Sequence, residues 1–346
     1  MILRTFSASR FGFVLLGALL AASPALSEET VPETAFEALR RMGRGVNILG
    51  YDGVWKGEID APFRTSDFEL IRRAGFDHVR INFFGLKFMD AQDRIDLAVL
   101  DRLDSVIDRA TNAGLTPVLD QHDNRLCQES PAKCAVPLAA FWRQISARYA
   151  GTRPRLIFEI LNEPGGAMSP ALWNATLRAA LDAIRASDPT RVVVVAALNA
   201  GDARDIEKLE TPSADRNLIV TVHYYEPMAF THQGAPWEKV FAATRDVTWG
   251  SPADRAKVVA DLTVARDWAL DHDRPVYLGE FGVYDKAPAA SRAAWIGHVA
   301  RTADRFGWSW AYWQFDHDFA LFESAKRRWN RSLLDALIGG RGDPRE

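Results

Sequence analysis

The chain has 346 residues, 48% of them hydrophobic and 25% charged, with a formal net charge of −3. That length suits two average domains, or one α/β barrel of roughly 250 residues with insertions. The ordinary composition reads as soluble and globular, and the small negative charge gives no support for a nucleic-acid or anionic-membrane partner.

Residues 1–27 read as a secretory signal. Arg4 and Arg10 give a positive start, "FGFVLLGALLAA" gives an apolar stretch too short to span a bilayer, and Ala25 and Ser27 are small residues suited to cleavage after Ser27. Removing that segment takes away two arginines and no acids, so the net charge goes from −3 to −5. The reading is a secreted or periplasmic protein with one domain, residues 28–346. No composition shift or linker marks a second.

Eight short apolar runs follow in order: 45–50, 77–82, 116–121, 156–161, 191–197, 217–223, 275–280 and 309–315. Most are separated by helical patterns. "LAVLDRLDSVIDRATNAG" has Leu97, Leu100, Leu103, Val106 and Ile107 at helical spacing and ends at Asn112–Gly114. "APFRTSDFELIRRAG" predicts Ser66 as an N-cap. Eight strands with crossover helices predict a single (β/α)8 barrel. The glycine-rich phosphate turn of a doubly wound sheet is missing.

Chemistry in such a barrel collects at the C-terminal strand ends. Those ends carry Arg80 and Asn82, His122, Asn162 and Glu163, His223 and Tyr225, Glu280, and Trp313. Strict alternation puts Glu159 below Glu163, as a buried support residue, and puts Val276, Leu278 and Glu280 on one face. In "RLIFEILNEPGG", Pro164 is expected to hold Glu163 extended at the rim. Paired carboxylates suit glycoside hydrolysis, with Glu163 protonated and Glu280 ionised. Arg80 and Tyr225 are the groups available to keep Glu280 charged.

The eleven tryptophans suit a sugar polymer, whose apolar ring faces pack on flat aromatics. Trp55, Trp237, Trp249 and Trp313 are the candidate platforms. Cys127 and Cys134, the only cysteines, sit in one polar loop and are expected to pair after export. Neither they nor "FDHDF" makes a credible metal site, so no metal or cofactor is expected.

The motifs "FEILNEP", "VHYYEP" with "FTHQGAPW", and "LGEFG" resemble glycoside hydrolase family five, the cellulase family of (β/α)8 barrels. The resemblance runs from "RGVNILG" to "WAYWQFD". It implies a retaining mechanism with Glu163 as general acid/base and Glu280 as nucleophile. It further implies Asn162 on the sugar 2-hydroxyl, Arg80 and Tyr225 orienting Glu280, and His122 and His223 as subsite histidines. Trp313 would lie under the sugar, before a cis peptide bond. His122–Asp123 and the cysteine loop depart from the usual pattern after strand three. The strand-six loop resembles those of endoglucanases acting on β-1,4-glucan, so an endo-β-1,4-glucanase is expected, acting as a monomer on a soluble or amorphous glucan. A mannanase, glucomannanase, exo-β-glucanase or β-glucosidase keeps the same machinery, and a non-catalytic sugar-binding protein is the remaining alternative.

Overall fold

The computed structural model describes residues 1–2, 33–50, 52–57 and 62–339. All but the first two residues of the expected secretory signal lie outside the described residues. Eight parallel strands close into a barrel: β1 (Arg44–Ile48), β2 (His78–Phe83), β3 (Thr116–Gln121), β4 (Ile157–Glu159), β5 (Val193–Ala196), β6 (Leu218–Tyr224), β7 (Val276–Phe281) and β8 (Ser309–Tyr312). β8 pairs with β1 to complete the ring. The fold is a single (β/α)8 barrel.

Each strand is buried along its whole length, because side chains alternate between the barrel interior and the surrounding helices. This is why the strands read as continuous apolar runs. The crossover helix Leu97–Asn112 buries Val99, Leu100, Leu103, Val106, Ile107 and Ala110 on one stripe. It ends before Gly114, whose φ is +82°.

A helix at Ala35–Met42 seals the barrel floor. Thr34 and Glu37 form a reciprocal capping box at its start. Ala35, Ala38, Leu39 and Met42 then pack on the interior residues Val118, Ile157, Val194, Ile219, Tyr277 and Ala311. The opposite end is left open. No helix among the described residues is long and apolar enough to cross a membrane. Cys127 and Cys134 form a disulfide, their Cα atoms 4.7 Å apart.

Four sequence expectations need correction. First, Val276, Leu278 and Glu280 do not share a face. Val222 pairs with Leu278 but His223 pairs with Glu280, so Gly279 is the extra residue of a β-bulge. Tyr277 faces the interior and Leu278 the helices. The bulge then returns Glu280 to the interior. Gly279 permits it, since a Cβ there would stand 2.6 Å from Thr221 Oγ1 and 3.0 Å from His223 Nε2.

Second, Glu163 is not extended. β4 stops at Glu159, and Glu163 has φ +44°. That left-handed backbone costs about 1–2 kcal/mol for a residue with a Cβ. Hydrogen bonds from both neighbouring loops offset it. Asn124 Nδ2 and Gln128 Nε2 donate to the Glu163 carbonyl, and Ala200 N–H donates to the Pro164 carbonyl.

Third, Ser66 makes no side-chain cap on the helix Asp67–Arg73. Asp67, the first helical residue, instead accepts from Arg64 N–H at 2.8 Å and pairs with Arg327. Fourth, most tryptophans pin helices and loops to the barrel rather than face a cleft. The indole N–H groups of Trp55, Trp142, Trp173 and Trp295 donate to the carbonyls of Leu49, Ile160, Ala196 and Glu226. Trp249 is also buried in the core.

Candidate active site

The open end of the barrel holds a cleft of about 610 Å³. At its base lies a buried guanidinium. Arg80 projects inward from β2 and is fully buried. Its Nε and one terminal nitrogen donate to the two oxygens of Glu159 at 2.7 and 2.8 Å. The other terminal nitrogen donates to Glu280 Oε1 at 2.6 Å and Asn47 Oδ1 at 2.9 Å. Asp120 Oδ2 lies 3.1 Å away, and Asn162 Oδ1 accepts at 2.9 Å. Burial alone would weaken the Arg80 charge, but Asp120, Glu159 and Glu280 reverse that and hold it well above its ordinary range.

Three carboxylates around one cation cannot all be ionised cheaply. Burial pushes Glu159 up to about 7, although Arg80 pulls it down. Asp120 goes the other way. Burial raises it, yet Arg80 and His122 bring it below the ordinary carboxylate range. His122 Nδ1 hydrogen-bonds Asp120 Oδ2 at 2.6 Å, and despite burial this neighbour raises the imidazole, favouring its cation.

Glu280 and Glu163 meet above this layer. Tyr225 Oη donates to Glu280 Oε2 at 2.9 Å, so each oxygen of Glu280 is held by a different donor. Glu163 comes from the loop after β4, and its Oε1 shares a 3.0 Å hydrogen bond with His223 Nδ1. The same nitrogen lies 3.7 Å from Glu280 Oε2. An oxygen of each carboxylate and a ring nitrogen of His223 all lie within 4.8 Å of one another. Burial lowers His223 to about 4, so the ring between the two acids is neutral at neutral pH. Burial raises the Glu163 carboxyl, outweighing the pull of His122 and Arg80, while 27% of its side-chain surface stays open to the cleft.

Among the residues singled out from sequence, the cleft brings together His122, Asn162, Glu163, His223, Tyr225, Trp237, Glu280 and Trp313, with Arg80 beneath. Trp313 lies next to His122, their rings nearly parallel with centroids 5.5 Å apart. The Trp313–Gln314 peptide bond is cis. Trp237 is 45% exposed at the rim and packs edge-on against Tyr284. Trp55 is not brought in; it is 3% exposed and packs on Phe83 behind the barrel wall. His232 lines the cleft, bonded through Nδ1 to Thr231 Oγ1 and packed edge-on against Tyr225.

Asn47 was missed. Its Oδ1 takes an Arg80 donor, and its Nδ2 donates to the carbonyl of the bulge residue Gly279 at 3.0 Å. An amide in the middle of the apolar run "GVNIL" was the available signal. Asp202, Arg204 and Glu226 also line the cleft. They lie beyond the strand ends, where alternation carries no information.

Two acids this close, at the mouth of a barrel and beside exposed aromatic surface, are the layout of a glycoside hydrolase. Comparison with known proteins is more specific. The sequence profile of Cellulase (glycosyl hydrolase family 5) matches residues 39–318, and the chain belongs to that family. It is 28% identical to Endoglucanase H of Acetivibrio thermocellus over 316 residues, which cover 88% of this chain and 33% of the relative. It is 25% identical to Endoglucanase 3 of Fibrobacter succinogenes, covering 84% and 52%. The chain thus spans about a third and about half of these two relatives. The endoglucanase Cel5A of Thermotoga maritima superimposes with a TM-score of 0.83 in its cellobiose complex, at 35% identity, covering 88% of this chain and all of that one. A mannotriose complex of the same protein gives 0.83 at 34% identity.

Proposed function

We propose that the protein is a retaining glycoside hydrolase that cuts β-1,4-glucan within the chain. The carrying observation is the separation of Glu163 and Glu280. One oxygen of each lies within 4.8 Å of the other, in keeping with the roughly 5–5.5 Å between carboxyls in retaining enzymes rather than the roughly 6.5–9.5 Å that admits an inverting water.

In the first step a Glu280 oxygen attacks the anomeric carbon. The bond from that carbon to the bridging oxygen breaks, and the Glu163 proton passes to the departing oxygen. In the second step Glu163, now a carboxylate, takes a proton from water. The water oxygen bonds to the anomeric carbon, and the ester bond to Glu280 breaks. Asn162 Oδ1 is occupied by Arg80, so its amide N–H groups are available to the sugar 2-hydroxyl. Trp313 and Trp237 supply flat apolar surface to the sugar rings, and His122 and His223 supply polar contacts near the cleavage point.

A panel of carboxymethyl-cellulose, barley glucan, mannan and laminarin tests the substrate. Turnover of the first two is expected, and activity on laminarin alone removes the β-1,4 assignment. Mannan has a specific claim as a second substrate, because the Thermotoga maritima relative is seen with mannotriose as well as cellobiose. Proton NMR of the first product anomer tests retention. Glu163→Gln and Glu280→Gln are expected to lose turnover while still binding cellooligosaccharides. Export with removal of residues 1–27 belongs to the same reading, since the Cys127–Cys134 bond needs an oxidising space. The mass of the natively exported protein tests it, and a sizing column tests the expected monomer.

A further inference from the structure

Glu163 is held by its backbone, and the hold comes from the loop after β3. After β3 the chain enters a short helix, Arg125–Glu129, and a 3-10 turn, Pro131–Lys133. The Cys127–Cys134 bond ties the two together. From this clip Gln128 Nε2 donates to the Glu163 carbonyl at 3.1 Å, and Asn124 Nδ2, just before the helix, donates to the same oxygen at 3.3 Å. Gln128 also accepts, through its own carbonyl, from Ala167 N–H at 3.0 Å. The contact is tight from the other side too. Gly166 has φ +63°, and a Cβ there would lie 3.0 Å from both Gln128 Cβ and Gln128 O. Neither Gln128 nor Asn124 is among the residues that line the cleft.

We infer that Gln128, with Asn124 and the Cys127–Cys134 clip, is a positioning element that sets where the Glu163 carboxyl stands over the leaving oxygen. The inference rests on the acid/base reading of Glu163. Physically, a left-handed residue outside any strand has no ladder to hold it. Two side-chain donors on one carbonyl supply the missing restraint. Gln128 is in turn fixed by a helix of only five residues, too short to be stable alone. Its disulfide supplies that order. Glu280 is held instead by Arg80 and Tyr225, so the clip can be altered with both of those donors in place.

That separation gives a readout that general loosening would not move. Bond cleavage needs the proton of Glu163 when the leaving group is a sugar, and hardly at all when it is 2,4-dinitrophenolate. The experiment compares kcat/KM on cellotetraose and on 2,4-dinitrophenyl β-cellobioside. The proteins are wild type, Gln128→Ala, Asn124→Ala, wild type under dithiothreitol, and Glu163→Gln as reference. Misplacement of a reacting group by about 1 Å can cost about 100-fold. Gln128→Ala is therefore expected to lose about 10- to 100-fold on cellotetraose and less than about 3-fold on the aryl substrate. Reduced wild type should shift the same way. An equal loss on both substrates, or no loss on either, overturns the inference. If Gln128→Ala does not fold, Asn124→Ala decides by the same ratio. If Glu163→Gln itself shows no difference between the substrates, the acid assignment has failed rather than the positioning one.

Discussion

Replacing Arg80 by methionine removes the guanidinium beneath the cleft while nearly keeping its volume. The guanidinium is fully buried and pairs with Glu159 at 2.7 Å, Glu280 at 2.6 Å and Asp120 at 3.1 Å. Removing one partner of a buried ion pair costs about 3–5 kcal/mol, because the other charge is left uncompensated. Here Glu159 and Glu280 lose a direct partner while Asp120 keeps His122, so the middle of that range is expected. The loss has a ceiling, since a stranded carboxyl can take a proton. Glu159 already stands at about 7 with Arg80 present. Without Arg80 its folded value rises further, and folding then prefers the protonated form. A carboxyl whose folded pKa lies above its unfolded one favours folding at low pH and loses that contribution as pH rises. Wild type and variant share that loss up to about pH 7, so the penalty of Arg80→Met is expected to grow as pH rises through about 7.

Urea unfolding at pH 5.5 and pH 7.5, followed by tryptophan fluorescence, reads both quantities. At pH 7.5 the midpoint should fall by the equivalent of about 4 kcal/mol at an unchanged slope. At pH 5.5 the difference should be visibly smaller. Turnover should drop by about 100-fold or more, since Glu280 loses the donor on Oε1. A variant within about 0.5 kcal/mol of wild type at pH 7.5, or a penalty that grows toward acid, would refute the reasoning.

Three further outcomes are expected. Gly279→Ala places a Cβ 2.6 Å from Thr221 Oγ1, so it should cost about 1–3 kcal/mol and lower kcat more than it raises KM; a variant with wild-type melting and turnover would remove the bulge argument. Burial raises the Glu163 carboxyl, and the proposed first step needs its proton, so kcat/KM should fall on the alkaline side along a limb lying above the ordinary glutamate range. That limb should vanish in Glu163→Gln assayed on 2,4-dinitrophenyl β-cellobioside. His78, buried between Met42 and Tyr277 on the barrel floor, is pushed down to about 4. The unfolded ring titrates near 6.5, so this residue contributes about 3 kcal/mol above that pH and loses it as pH falls toward 4; calorimetry of wild type and His78→Asn, with a shallower acid slope in the variant, checks the share.

The eight strands were legible because burial on both faces turns each into an apolar run bounded by polar turns. The inward, buried position of Glu159 followed from alternation along a regular strand. Alternation failed wherever the backbone left regular geometry. One extra residue at Gly279 reversed the parity of β7 after Leu278, and nothing local in "YLGEF" marks Gly279 as a bulge rather than an ordinary strand glycine. In "NEPGG" the pre-proline preference pointed to extended geometry, and three hydrogen bonds from loops more than thirty residues away in sequence overrode it. Trp55 misled for a different reason. An indole after a strand can face a cleft or bury its N–H on a carbonyl, and sequence does not distinguish the two.

The two acids are held in different ways, and the proposed chemistry gives a reason. A nucleophile keeps one charge state until it bonds, so it gains from side-chain donors on both oxygens, as Arg80 and Tyr225 supply to Glu280. A group that gives a proton in one step and takes one in the next must stay free to change charge. A guanidinium in direct contact would oppose protonation. Glu163 is accordingly placed through its carbonyl, while its carboxyl meets only His223 among the side-chain hydrogen-bond partners of the described residues. With that imidazole lowered to about 4, the contact orients the acid without fixing its charge. Rigid strands suit the first task, and a gripped loop beyond the strand end suits the second.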